Sequence, residues 1–218
     1  MANAQVPDAL HTKLKFIRGF QLTIPDDGLS TNSGAVNGLY VNDPFDPDFG
    51  IGNDAAQGFD FWRDYYNNYI VTRADIRVKF QNNSQVRGLI GYVQPQYGTG
   101  PIGLLNGSPI NTIQAFPRMR FCTMSQASAG RNIKVIKTNW SIRKDGAWLP
   151  RSNTWETSGF SAGVSSSPAN RRQVNIWIGT DNGVANSGQI LSASVIVQCI
   201  YHCRFYNRRN TPELLDPE

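Results

Sequence analysis

The stretch 191–206, LSASVIVQCIYHCRFY, decides the fold. Its odd positions, Leu191, Ala193, Val195, Val197, Cys199, Tyr201, Cys203 and Phe205, are apolar or nearly so. Its even positions carry Ser192, Ser194, Gln198, His202 and Arg204, with Ile196 and Ile200 as the only interruptions. A period of two belongs to a strand whose successive side chains point to opposite faces. The stretch therefore reads as a long, central, half-buried strand. The segment after it, NRRNTPELLDPE at 207–218, has no period and two prolines, so it is expected to leave the sheet as a tail.

The same alternation recurs toward the N-terminus. In KLKFIRGFQLTI at 13–24, Leu14, Phe16, Phe20, Leu22 and Ile24 share one parity, while Lys13, Lys15, Gln21 and Thr23 share the other. Residues 1–12 are left as an N-terminal extension. In YIVTRADIRVKFQ at 69–81, Ile76, Val78 and Phe80 face one way and Arg73, Asp75, Arg77 and Lys79 the other. Shorter strands are expected at 38–41, 87–95, 118–124, 131–142 and 174–179, with 87–95 joined to its predecessor as a hairpin through NNSQ. One helical turn is expected between Phe59 and Tyr66 and a short helix near Ile113. Loops at 43–58, 96–112 and 146–170, rich in Gly, Pro, Asp and Ser, are expected to be exposed.

About eight strands without an internal repeat favour two packed four-stranded sheets, a single antiparallel jelly roll with long connecting loops, over a propeller. Composition agrees: 20 Gly and 12 Pro, scattered without period along 218 residues, argue against long helices. One domain spanning 1–218 can bury a sizeable core without disulfides. The three cysteines are an odd count with no CxxC spacing, so they read as reduced packing residues. No apolar run approaches the ~20 residues that span a bilayer, and the first thirty residues lack a secretory apolar core. The expectation is a soluble chain without membrane insertion or conventional secretion.

Catalytic chemistry is poorly represented. His11 and His202 are the only imidazoles, and neither accompanies a nucleophile motif such as GxSxG. Asp43, Asp46 and Asp48 imitate a calcium loop, but Pro44 and Pro47 interrupt the series and no acidic residue closes it, so turn formation is the better reading. The runs GTGPIG and GIGN lack a following Lys-Ser/Thr and a helix, hence no phosphate cradle. The expectation is no enzyme, no metal and no cofactor.

The charge is more telling. Twenty-one Lys and Arg against sixteen Asp and Glu give +5, which favours polyanionic partners weakly by itself. In an eight-stranded jelly roll the first, eighth, third and sixth strands form one sheet. Its outward residues here would be Lys13 and Lys15 on the first strand, Arg73, Arg77 and Lys79 on the third, Lys134 and Lys137 near the sixth, and Arg204 with His202 on the eighth. The opposite sheet, with Ile90, Tyr92, Asn175 and Trp177 outward, is nearly uncharged. Lys13, Lys15, Arg18, Arg77, Lys79 and Arg204 are therefore the candidate nucleic-acid-binding residues. Trp62, Trp148, Trp155 and Trp177 are the candidate subunit-interface residues, in a chain of which only 17% is charged and whose surface is therefore expected to be largely uncharged.

Four stretches also carry a family likeness. GLYVNDPFDPDFGIGNDAAQGFDFWRDYYNNYIVTRADIRVKFQN at 38–82 is a Pro-Asp-rich loop running into an aromatic segment and then a basic strand. RNIKVIKTNWSIRKDGAW at 131–148 follows, then RRQVNIWIG at 171–179 with SASVIVQCIYHCRFYN at 192–207. In order and spacing they resemble the capsid proteins of circular Rep-encoding single-stranded DNA viruses, the circovirus-like group. The resemblance implies self-assembly into an icosahedral shell of roughly sixty copies around circular single-stranded DNA. It also implies residence in the virion, and in the host nucleus or cytoplasm during assembly. Members typically begin with a long Arg-rich arm, whereas here the start, MANAQVPDALHTKLKF and the residues just after it, carries only Lys13, Lys15 and Arg18. Either such an arm has been removed or packaging relies on the folded surface. The rival readings are the capsid protein of a small RNA or satellite virus and a lectin- or cytokine-like jelly roll.

Overall fold

The computed structural model describes residues 7–24, 37–48, 54–95, 118–145, 159–180 and 191–209. Its strands are β1 (Ala9–Ile24), β2 (Asn37–Tyr40), β3 (Tyr66–Asn82), β4 (Leu89–Pro95), β5 (Arg120–Met124), β6 (Ile133–Ser141), β7 (Ser161–Gly163), β8 (Gln173–Thr180) and β9 (Leu191–Arg208). A short helix, α1 (Phe59–Arg63), precedes β3. One sheet has the order β1-β9-β3-β6, with β7 pairing the start of β3, and the other has the order β2-β8-β4-β5. All the pairings are antiparallel. This is a jelly roll, and the first sheet unites the strands that the sequence pattern places there.

The long strand β9 lies between β1 and β3, running from Ala9↔Tyr206 to Ile24↔Leu191 on one side. On the other side it pairs from Tyr66↔Arg208 to Asn82↔Ala193, with an irregularity between Val71 and Arg73. Odd residues of β9, even residues of β1 and β6, and even residues of β3 beyond its irregularity point inward. Leu14, Leu22, Val78, Phe80, Trp140, Val197 and Phe205 are each at most 2% exposed. They pack against Leu39, Leu89, Val93, Val174 and Ile176 of the second sheet in one core. Burying each side chain of this size contributes about 1.5–3 kcal/mol. Cys199 and Cys203 belong to that core as free thiols, and burial pushes the Cys199 thiol up to about 12.

Where β4 crosses the core, its backbone lies against the Phe80 ring. A Cβ placed on Gly91 would sit 3.0 Å from Phe80 ring carbons, closer than side-chain carbons pack. Gly91→Val should therefore lower stability by about 1–3 kcal/mol, read as a lower urea midpoint with an unchanged slope. An unchanged midpoint would show that Phe80 yields at no cost.

Several expectations are corrected. β3 and β4 do not form a hairpin, because β9 and β6 already occupy both edges of β3 and β4 joins the other sheet. The connection is a corner pinned by buried Asn82, whose Nδ2 donates to the carbonyls of Arg87 (2.8 Å) and Ser125 (2.9 Å). Its Oδ1 accepts from the Ser84 amide (2.8 Å). The expected loop at 146–170 contains β7, and its 146–158 portion, like 96–112 and the helix near Ile113, lies outside the described residues. β1 begins at Ala9 and β9 ends at Arg208, so the sheet takes residues assigned to the extension and the tail.

Within 43–58 the described stretch 43–48 is not the exposed feature expected, with Asp43 and Asp48 buried, whereas Asp54, Gln57 and Gly58 are exposed and 49–53 lie outside the described residues. Its aspartates serve as anchors. Asp43 accepts from the Tyr69 hydroxyl (2.9 Å) and is paired with Arg171 (2.9 Å), while Asp46 is paired with the same guanidinium (3.2 Å). Burial outweighs these partners and raises the Asp43 carboxyl above its usual range. A second buried pair, Arg172 with Asp145 (2.5 Å), ties the entry of β8 to the turn after β6 and so fastens one sheet to the other.

Candidate nucleic-acid interface

Alternation leaves the odd residues of β1, β6 and the later part of β3, and the even residues of β9, on the outward face of the first sheet. The register arranges them in rows across the strands. Lys13 lies opposite His202, and His202 opposite Arg73; Lys15 leads through Ile200 to Asp75 and Asn139. Ile17 leads through Gln198 to Arg77 and Lys137. Gly19 leads through Ile196 to Lys79 and Val135. Adjacent strands lie about 4.8 Å apart, so neighbours along a row are within the span of one phosphate group and its solvation shell.

The charged residues on this face are Lys13, Lys15, Arg73, Arg77, Lys79, Lys137 and Arg204, with Asp75 as the carboxylate among the described outward positions of these four strands. Asp75 accepts from Arg73 Nε (2.8 Å) and is hydrogen-bonded to His202 Nε2 (2.9 Å). Partial burial pushes its carboxyl up, but the His202 and Arg73 hydrogen bonds outweigh it and hold the group below the usual carboxylate range. That lowered value stabilises the fold above the ordinary aspartate range, and the contribution is lost as pH falls through the folded value. Near neutrality Asp75 is ionised and offsets Arg73, leaving the positive field to Arg77, Lys79, Lys137, Lys13 and Lys15. Between these cations stand exposed aliphatic side chains, Ile17, Ile133, Val135 and Ile196.

Of the six candidate binding residues, Lys13, Lys15, Arg77 and Lys79 share this face. Arg204 is on it too, half-buried, with its guanidinium 5.8 Å from the Tyr206 ring centroid. Arg18 is a correction: it has the inward parity of β1, stacks against Phe20 at 5.6 Å and is paired with Asp48. Lys134 also has the inward parity, opposite Phe80, although it is exposed at the strand's end.

Among the candidate interface residues, Trp177 is a second correction. It is 1% exposed and packs with Ile90 and Tyr92, so the opposite sheet does not present those side chains as a bare uncharged surface. Trp62 is half-buried in an aromatic cluster with Phe61 (4.8 Å, edge-on) and Tyr65, and Phe61 is 57% exposed. Trp148 and Trp155 lie outside the described residues.

Arg118, Arg120 and Lys144 escaped the strand-by-strand reading. They border the edge where β5 of one sheet meets β6 of the other, lining a cavity of about 520 Å³ with Thr138 and Asn139. Consecutive strands at the same end of two sheets, both carrying cations, are the signal that points to them.

No family model matches the chain, and no curated protein sequence does. Solved structures are similar in fold. The cryo-EM structure of Mud crab tombus-like virus aligns at 10% identity over 97% of this chain and 96% of that one, with a TM-score of 0.52. The crystal structure of the decameric BFDV capsid protein aligns at 10% identity over 91% and 100%, with a TM-score of 0.44. A virus-like particle of the giant freshwater prawn Macrobrachium rosenbergii nodavirus aligns at 13% identity over 97% and 100%, with a TM-score of 0.41.

Proposed function

We propose that this chain is a structural capsid subunit that self-assembles into a closed shell, with the outward face of the β1-β9-β3-β6 sheet turned toward enclosed nucleic acid. The observation that carries the reading is the concentration of cations on one face of a jelly-roll sheet, opposed there by one carboxylate. Sequence-independent phosphate contact follows from such a face, since each neutralised phosphate releases counterions whatever the base. The shell-forming role rests on the fold shared with the Mud crab tombus-like virus structure and on the sequence resemblance. In its finer form the reading is a shell of roughly sixty copies around circular single-stranded DNA, located in the virion, with no enzymatic step. The aliphatic side chains interleaved with the cations support a single strand, because unpaired bases offer apolar faces that a duplex hides in its stack. The exposed Phe61 and half-buried Trp62 belong to the contact between copies in this reading.

Negative-stain microscopy and sedimentation of the purified protein test assembly. Closed particles of uniform diameter are expected. Sedimentation only as monomer or dimer, at high concentration across salt and pH, rejects the proposal in favour of a lectin- or cytokine-like binding protein. Nucleic acid extracted from nuclease-treated particles should then be sensitive to DNase; sensitivity to RNase alone replaces the DNA genome by RNA.

A further inference from the structure

Three buried or half-buried guanidinium groups among the described residues meet a carboxylate: Arg18 with Asp48, Arg171 with Asp43 and Asp46, and Arg172 with Asp145. Exposed Arg73 likewise meets Asp75. Around one cavity three exposed cations from three strands come together without a carboxylate of their own. Arg77, Lys137 and Arg120 have no hydrogen-bond or ion-pair partner among the described residues, yet all three line the same space of about 420 Å³. Arg77 and Lys137 stand directly opposite each other on β3 and β6. Arg120 comes from β5 of the other sheet, around the sandwich edge. The remaining wall includes the half-buried Ile200 and the amides of Gln198 and Asn139. Asp75 also lines it, but its carboxylate is already held by Arg73 and His202.

We infer that this cavity is a site for one unpaired nucleotide of a single-stranded nucleic acid, with its phosphate between Arg77, Lys137 and Arg120 and its base against Ile200 and the two amides. The inference rests on the nucleic-acid reading above and goes beyond it by replacing a diffuse basic face with one defined pocket. Three cations converging from three strands fit a phosphate group, which accepts several charge-assisted hydrogen bonds at once. Gln198 offers both a donor and an acceptor to the polar edge of a base whose face meets aliphatic carbon, and beside it stands the Asn139 amide, whose Oδ1 already accepts from Lys144 Nζ (2.8 Å). The volume falls in the range of small-ligand sites. The cavity continues past Arg120, Thr138 and Asn139 into the larger space lined by Arg118 and Lys144, which gives the neighbouring phosphate a path around the β6 edge. A duplex lying flat on the sheet has its bases paired and stacked, and its backbone does not bend around that edge to reach Arg120.

The test uses the full chain, a fluorescein-labelled 12-nucleotide single-stranded DNA, its RNA counterpart and the corresponding DNA duplex, each measured by anisotropy at 50 mM salt. Arg120 is exposed, so Arg120→Gln is not a folding variant. It should weaken single-strand binding about eightfold and leave duplex binding unchanged, whereas the double variant Lys13→Gln with Lys15→Gln should weaken both forms together. Deoxyadenosine monophosphate at millimolar concentration should reduce wild-type binding to the level of Arg120→Gln and leave that variant unaffected. Equal losses for single strand and duplex in Arg120→Gln, or no competition by the monophosphate, overturn the pocket while the basic face stands. A wild-type protein that binds none of the three probes overturns the face and the pocket together.

Discussion

Replacing Arg77, Lys79 and Lys137 together with Gln should lower affinity for single-stranded nucleic acid roughly 50-fold at 0.15 M salt, and should reduce the slope of log K against log salt by about 2. The magnitude follows from three lost phosphate contacts, each releasing about 0.7 counterion from a single strand. All three side chains are on the outward parity of β3 and β6, and none belongs to the core, so the fold and the particle diameter should be preserved. Particles of the variant should show a lower ratio of ultraviolet absorbance at 260 to 280 nm. A control triple of Arg63, Arg131 and Arg143 to Gln removes the same charge from exposed positions off the sheet face. If the control matches the test triple, net charge rather than this face governs binding. If neither changes the slope, the packaging role lies elsewhere in the chain.

The second large effect concerns the fastening of the two sheets. The Asp145 side chain is fully buried and Arg172 is 7% exposed, with 2.5 Å between Nε and Oδ2. The Arg172 guanidinium also lies 4.9 Å from the Phe160 ring centroid and donates to the Arg171 carbonyl (3.1 Å). Arg172→Met leaves a buried carboxylate without its counter-charge, which costs about 3–5 kcal/mol. Combining it with Asp145→Leu removes both charges, and most of the loss should be recovered, because a buried pair replaced by packed apolar groups is often neutral. Urea unfolding of dissociated subunits, followed by tryptophan fluorescence with buried Trp140 beside Phe160 as the reporter, reads both variants. Equal destabilisation of the single and the double variant would falsify the electrostatic account and assign the loss to packing.

The legible part of this fold was its periodicity. β9, β1 and β3 are long enough for a period of two to stand out, and their parity placed Lys13, Lys15, Arg77 and Lys79 on the solvent side. Arg18 broke that inference because it sits three residues from Lys15, on the other parity, and nothing local announces the distant Asp48 that receives it. The hairpin between β3 and β4 was misread for a related reason. A short polar linker is compatible with a turn or with a crossing between sheets, and the choice depends on β6 and β9 already flanking β3, which is non-local information. Trp177 was read as exposed from strand parity alone, but parity fixes which side of a sheet a residue is on and not whether that side is covered. The cavity at Arg120 was invisible to strand-by-strand reading because it forms between two sheets.

The pairing of β1 with β9 also bears on how the protein comes into being. β1 is made first and β9 last among these strands, and β9 is the strip that joins β1 to β3. At about 5–20 residues per second, a ribosome needs roughly 10–30 s to pass from the end of β1 to the start of β9. Throughout that interval the apolar edge of β1, with Leu14, Leu22 and Ile24, has no final partner. Closure of this sheet therefore waits on β9, as expected where pairings of high sequence separation must precede the core. Nascent chains carrying a stalled or truncated β9 should be the ones that engage chaperones, while completed chains bury the same edge before they meet one another.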